Sequence, residues 1–366
     1  MKFSVSREAL LKPLQLVVGV VERRQTLPIL SNVLISLQGN RLELTGTDLE
    51  VEIVGQVALE QEGENGEVTV PARKLVDICR SLPEGAVISI SEQDGRAQIS
   101  SGRSRFTLAT LPANEFPSVD EGSSKLDFEI PQQDLKYLID STAFAMAQQD
   151  VRYYLNGMLW EVEGDTLRAV ATDGHRLAMA ECSVSTSAAE KTQAILPRKG
   201  VIELSRMLDG DQNISIMLGN NHLRIVTPEY RFTSKLVDGA YPDYRRVLPQ
   251  GGSKLMEGGK DELRHAFSRT AILSNEKYRG VRLMLSDGLL KLVANNPEQE
   301  EAQEEVTVNY SGDELEIGFN VSYVLDVLGV LKGESVRFTL SDSNSSALVE
   351  DPADNGATYV VMPMRL

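Results

Sequence analysis

Residues 154–179 read YLNGMLWEVEGDTLRAVATDGHRLAM, and the fold follows from how this stretch recurs. Apolar residues run through two short strands that meet at Gly164-Asp165, and a third strand is predicted to open at Thr172-Asp173-Gly174. Residues 30–53, LSNVLISLQGNRLELTGTDLEVEI, follow the same grammar. Residues 278–303, YRGVRLMLSDGLLKLVANNPEQEEAQ, follow it more loosely. Asn32, Asn156 and Gly280 fall 124 residues apart, while Asp48, Asp173 and Asn296 are spaced by 125 and then 123. This period is too long for a solenoid repeat and has the size of a domain. Three copies of one fold are expected, at 1–122, 123–252 and 253–366.

Each copy is itself double, a strand, a helix and three strands repeated. Ser6 is placed to cap a helix with Leu10, Leu14, Val17 and Val18 on its apolar face, and Pro13 inside it predicts a kink or a short helix. Pro71, Pro131 and Pro197 are read as first residues of further helices. Their stripes are Leu75, Ile78 and Leu82, then Leu135, Leu138 and Ile139, then Val201, Leu204 and Leu208. Two more helices are expected at 260–273 and 321–331, a hairpin turn at Asp94-Gly95, and polar linkers near 120–124 and 251–258. The class is α+β, with helices on one side of antiparallel sheets.

The 366 residues carry a net charge of −16, which by itself argues against nucleic acid. No run has the 18 or more apolar residues of a membrane span, so no membrane role is expected. The N-terminus reads as a first strand and helix rather than a signal segment. Two cysteines, Cys79 and Cys182, fit a reducing cytoplasm. Phosphate-binding glycine loops, zinc-binding histidine pairs and a nucleophile elbow are all missing, so no cofactor and no metal are expected. Asp173-Gly174-His175 resembles an acid–base pair but reads better as a turn closed by the aspartate side chain. The charge is unevenly spread. The six helix windows hold twelve Lys or Arg against eight Asp or Glu, so the helices are basic in an acidic chain. Tyr153 and Tyr154, beside Arg152 and Gln149, form a group suited to bases or backbone.

The strings MKFSVSREALLKPLQ, TVPARK, QDVRYYLNGML, ATDGHRLA, PRKGVIEL, YPDYRRVLP, ILSNEKYRGVRL, EIGFNVSYVLDVL and YVVMPMRL resemble the family of bacterial DNA polymerase III β subunits, the sliding clamps. The resemblance spans essentially the whole chain. It implies three tandem clamp domains in a head-to-tail homodimeric ring around duplex DNA, helices lining the hole and antiparallel sheets outside. It implies no catalysis. The implied partners are double-stranded DNA without sequence preference, the polymerase III catalytic subunit, an ATP-dependent clamp loader, and other polymerases and repair proteins. An acidic body then needs no tight grip on DNA, because ring closure does the holding.

Carried over by position, the resemblance implies DNA contact by Arg24, Arg73, Gln149, Tyr153 and Tyr154, with Arg198 and Lys199 nearby. It implies a partner-peptide pocket from Leu155, Thr172, Gly174, His175, Arg176, Leu177, Pro242, Arg246, Val247, Asn320, Tyr323 and Ser346. The C-terminal residues Val360, Val361, Met362, Pro363, Met364, Arg365 and Leu366 complete it, with Arg176, Arg246 or Arg365 meeting polar groups of the peptide. It implies a subunit contact in which basic Lys74, Arg103 and Arg105 face Glu298, Glu300, Glu301 and Glu304, while Phe106 and Leu108 meet Ile272 and Leu273. Two other readings stand beside it: a conventional DNA-binding protein that grips with the same helices, and a hydrolase built on Asp173 and His175.

Overall fold

The computed structural model describes residues 1–21, 27–119, 122–186 and 190–365. Along them the strand, helix, three-strand unit recurs six times. The first copy contains β1 (Lys2–Ser6), α1 (Arg7–Val20), β2 (Asn32–Gln38), β3 (Arg41–Thr47) and β4 (Val51–Ala58). Its second half is β5 (Gly66–Pro71), α2 (Ala72–Ser81), β6 (Val87–Gln93), β7 (Arg96–Ser101) and β8 (Ser104–Ala109). The second copy runs through β9 (Ser124–Pro131), α3 (Gln132–Thr142), β10 (Gly157–Glu163), β11 (Thr166–Thr172) and β12 (Arg176–Ser183). It continues with β13 (Thr192–Pro197), α4 (Arg198–Met207), β14 (Asn213–Gly219), β15 (His222–Val226) and β16 (Tyr230–Lys235). The third copy has β17 (Lys254–Gly259), α5 (Lys260–Ala271), β18 (Gly280–Ser286), β19 (Leu289–Asn295) and β20 (Glu301–Thr307). It ends with β21 (Leu315–Asn320), α6 (Val321–Val330), β22 (Ser335–Leu340), β23 (Ala347–Asp351) and β24 (Asp354–Val361).

The copies share sheets. Two eight-stranded sheets have the orders β13-β10-β11-β12-β24-β23-β22-β17 and β5-β2-β3-β4-β16-β15-β14-β9, so each takes strands from two copies. Two four-stranded sheets, β1-β6-β7-β8 and β20-β19-β18-β21, remain. The chain therefore packs as two units. One contains Met1–Leu135, Val184–Ser187 and Lys199–Val237; the other contains Lys136–Ser183, Ala188–Arg198 and Asp238–Leu366. In the first unit α1 lies against α2 and over β3 and β4; in the second α5 lies against α6 and over β19 and β20.

Several local expectations change. Pro71, Pro131 and Pro197 close strands β5, β9 and β13, and each helix opens one residue later. Helix α1 runs unbroken through Pro13. Pro13 is buried, and Gly55 gives it room: a Cβ on Gly55 would sit 2.9 Å from that of Pro13. Of the expected stripe Leu75, Ile78 and Leu82, Leu75 and Leu82 are buried and Ile78 is half-buried; Val76 and Cys79 join Leu75 on the buried face, because the α-helical period brings i, i+1 and i+4 to one side. Most of the expected 251–258 linker is strand β17, where Gly258 admits the Leu263 side chain. Asp94-Gly95 forms the expected turn, with φ values of 52° and 70°.

The turn before the last strand shows why Asp48 and Asp173 recur. Thr47 Oγ1 accepts a hydrogen bond from the Leu49 amide, and Asp48 Oδ1 accepts from Glu50 and Val51. Thr172 Oγ1 likewise accepts from Gly174, and Asp173 Oδ1 from His175 and Arg176. These bonds fold Thr172-Asp173-Gly174 into a turn, so the third strand opens at Arg176 rather than at Thr172. The middle position is left-handed in both copies, with φ 90° at Gly174 and 76° at Leu49. Glycine adopts this conformation freely, whereas leucine adopts it only at a steric cost. L49G is expected to stabilise the chain by about 0.5–1 kcal/mol, since the strain of a left-handed leucine exceeds the chain entropy of glycine. Urea unfolding measures it; a lower midpoint would show that the contacts of Leu49 outweigh the strain.

Candidate DNA and partner interfaces

The loop before β10 is closed by its own side chains. Asp150 N donates to Asn156 Oδ1, and Asn156 Nδ2 returns a bond to Asp150 O, both at 2.9 Å. Arg152 folds back onto both carboxylate oxygens of Asp150, at 3.0 and 2.8 Å, and onto Asp173 O at 3.2 Å. This hydrogen bonding by Arg152 holds the Asp150 carboxyl down at about 2. Arg198 braces the same loop by donating to Met146 O at 3.2 Å, while its amide donates to Asn156 O. On this frame Gln149 has a left-handed φ of 57°, Val151 is 95% exposed and Tyr153 is 57% exposed. Tyr154 is half-buried, its ring 5.7 Å from that of Tyr153 and edge-on. In the sequence Asn156 is marked only as a repeat position, and Asp150 carries no signal of its role in this loop.

Much of the helical positive charge is already engaged within the chain. Lys12 pairs with Asp209 at 2.9 Å, Lys136 with Asp140 at 3.1 Å, and Arg206 with Glu203 at 2.8 Å. Lys199 bonds Asp48 and donates to Val20 O at 2.9 Å, so it ties α4 to the first copy. Arg73 is exposed and donates to Val21 O at 3.2 Å. Arg24 lies outside the described residues. The charge excess read from composition is therefore weaker as a field than as a count.

The partner-pocket residues divide by burial. Strands β12 and β24 pair with Leu177 opposite Val360 and Arg176 opposite Val361. Leu155, Leu177, Val360 and Val361 are buried. Beyond β24 the tail is pinned by its backbone, Met362 N to His175 O at 2.9 Å and Met364 N to Gly318 O at 2.8 Å. The side chains of Met362, Pro363 and Met364 stay partly exposed, as do Thr172, Gly174, Val247, Asn320, Tyr323 and Ser346. His175, Pro242, Arg246 and Arg365 are exposed, and Leu366 lies outside the described residues. Asn320 caps α6 by accepting from Ser322 N. Arg176 is not free to meet a peptide. Its guanidinium bonds Asp173, Asp326 and Phe144 O and lies 4.6 Å from the Tyr323 ring centroid. It is a strut between the 172–175 turn and α6. Asp173 is consumed by the same turn, and His175 stacks on Tyr323, 6.2 Å between centroids. They do not form an acid–base pair.

Below the Pro242–Val247 segment lies Glu161, which is fully buried. It faces Gln193 and Arg168 across β13 and β11. Its oxygens accept from Arg245 at 2.6 Å, Tyr244 at 2.7 Å, Gln193 at 2.7 Å and Arg168 at 2.9 Å, and pair with Lys191 at 2.7 Å. Burial raises the carboxyl, but these bonds outweigh burial and bring it down to about 2.

Two sheet edges carry the predicted subunit-contact residues. On β8, Arg105 is exposed, Phe106 half-exposed and Leu108 buried, with Arg103 exposed just before it. Lys74, on α2, is exposed. Near β20, Glu298, Glu300 and Glu301 are exposed, while Glu304 is held by Arg269 at 2.7 and 2.9 Å. Ile272, just after α5, is 75% exposed, and Leu273 is half-buried.

Among the described residues, no cluster of His, Cys, Asp or Glu is placed to hold a metal, and no helix is long and apolar enough to cross a membrane.

Models of the N-terminal, central and C-terminal domains of the DNA polymerase III beta subunit match residues 1–120, 129–243 and 245–365. The beta sliding clamp of Pseudomonas aeruginosa is 64% identical over the full length of both chains, and that of Escherichia coli K12 is 58% identical over the full length of both. A crystal structure of the P. aeruginosa clamp bound to griselimycin superposes over all of both chains with a TM-score of 0.98 at 64% identity. The strand, helix, three-strand unit counted out six times, the match of all three domains in order and the full-length identity agree, and this chain belongs to the family of DNA polymerase III beta subunits, the beta sliding clamps.

Proposed function

We propose that two copies of this chain, a non-catalytic DNA sliding clamp, close head to tail into a ring around duplex DNA. The observation that carries this reading is how the copies join within one chain. The last strand of each first half pairs with the last strand of the next copy's second half: β4 with β16, then β12 with β24. Two such strands remain as sheet edges, β20 and β8. An unpaired edge is a template for another strand. The same junction, made between chains, puts β20 of one copy against β8 of the other. Register follows from the repeat. Ile53 faces Phe232 and Ala178 faces Tyr359 at the two internal junctions. The equivalent pair is Ala302 opposite Phe106 of the other copy. Phe232 and Tyr359 are fully buried, whereas Phe106 is half-exposed and awaits cover. A head-to-tail contact either closes or propagates, and two of them close a ring of six pseudo-equivalent halves per chain.

Within that ring, Arg73, Gln149, Tyr153 and Tyr154, with Arg24, meet DNA, and Arg198 and Lys199 support them. The copies extend over 1–122, 123–252 and 253–366. The tail residues Met362 and Met364 with Pro242, Val247 and Arg246 receive short peptides of the polymerase III catalytic subunit and of other polymerases and repair proteins. Methionine suits several ligands because it repacks easily. Loading requires an ATP-driven clamp loader, and the protein works in the cytoplasm at the nucleoid.

Once loaded onto a nicked plasmid by the loader and ATP, the clamp is expected to remain through a high-salt wash and to leave when the circle is cut. Gel filtration of the complexes reads this out. A protein that merely grips DNA would dissociate steeply with salt from circle and line alike, and that result would overturn ring closure.

A further inference from the structure

We infer that Glu161 is a positioning residue for the partner-peptide pocket, acting through Tyr244 and Arg245. The inference rests on the pocket reading above and adds a residue outside it. The segment from 236 to 253 belongs to no strand. Only a single turn, Tyr244–Arg246, gives it local structure. Tyr244 is 3% exposed and points down to Glu161, whereas the Arg246 side chain, two residues on, is 84% exposed. Pro242, on the other side, is exposed as well. The base of the turn is thus anchored and its tip presented.

The anchor is built for rigidity. The Tyr244 hydroxyl donates to Glu161 Oε1, and the Arg245 guanidinium reaches the same oxygen while lying 4.8 Å from the Tyr244 ring centroid. Arg168 bonds both Glu161 and the Tyr244 hydroxyl, the latter at 3.3 Å, and is itself held by Glu181 at 2.8 Å. Lys191 and Gln193 hold the second oxygen. The carboxylate therefore links three adjacent strands, β13, β10 and β11, to one turn. A rim fixed in advance loses less conformational entropy when a peptide binds. Loosening it should weaken binding even where the fold survives.

The test uses the full chain and, as probe, immobilised full-length polymerase III catalytic subunit. Y244F deletes one hydroxyl, and R245M deletes one cation while keeping a long apolar stem. Each is expected to raise Kd about fivefold or more at 25 °C, in line with the loss of one charge-assisted bond. R245K should recover most of the loss. A merely structural role predicts the opposite split: a lower Tm with Kd unchanged. M362D/M364D separates the two readings. If that variant binds as tightly as the unaltered chain, the pocket itself is misassigned. If it abolishes binding while Y244F and R245M bind normally, the pocket stands and the role of Glu161 falls.

Discussion

I272A/L273A is expected to give a folded monomer. Ile272 is 75% exposed and Leu273 half-buried in the single chain, so truncating them removes little from the core. In the proposed contact between two chains they are covered, beside the β20 edge. Covering what remains exposed of these two aliphatic side chains contributes about 2–3 kcal/mol per contact, and its loss weakens each junction roughly a hundredfold. Arg103 and Arg105 on one edge and Glu298, Glu300 and Glu301 on the other are exposed, and in the proposed interface such charges guide association and orientation more than they hold it. Sedimentation velocity should show one species of monomer mass with unchanged circular dichroism. An intact dimer would count against this assignment of the interface.

The second large effect is on stability. E161Q is expected to lower it by about 3–5 kcal/mol, the range seen when one partner of a buried ionic cluster is removed. Arg168, Lys191 and Arg245 would then share a site with no buried anion. The effect depends on pH with a definite sign. The folded-state carboxyl sits at about 2, below its ordinary value of 4.5. Its stabilisation is complete above 4.5 and is lost as pH falls toward 2. The Tm gap between the unaltered chain and E161Q should therefore be widest at neutral pH and close in acid. A gap that stays constant down to pH 3 or so would remove the charge explanation.

Much of the fold was legible because its signals are local. Alternation marks the strands, and the stripes Leu135, Leu138, Ile139 and Val201, Leu204, Leu208 are buried as read. Asp48 and Asp173 recur because each closes a turn with amides two and three residues ahead. The proline readings missed by one residue, since proline also ends an edge strand without losing a needed donor. The site was less legible. The resemblance implies a place for Arg176 in the peptide pocket and for Lys199 near DNA, and nothing in the sequence shows the partners they take within the chain. Arg176 is spent on Asp326, 150 residues away, and Lys199 on Asp48, 151 residues away. Glu161 carried no signal, because an acid between Trp160 and Val162 reads as the solvated face of a strand.

The sequence by itself determined the threefold repeat, the order of elements within it, the family, and the residue types at each proposed interface. Those depend on periodicity and on neighbours a few positions apart. Only the tertiary structure decided which charges remain available, which strands are left as edges, and which buried carboxylate anchors the Tyr244–Arg246 turn. A side chain's charge is written in the chain, but its partner is chosen by folding, which brings together groups separated by a hundred residues or more.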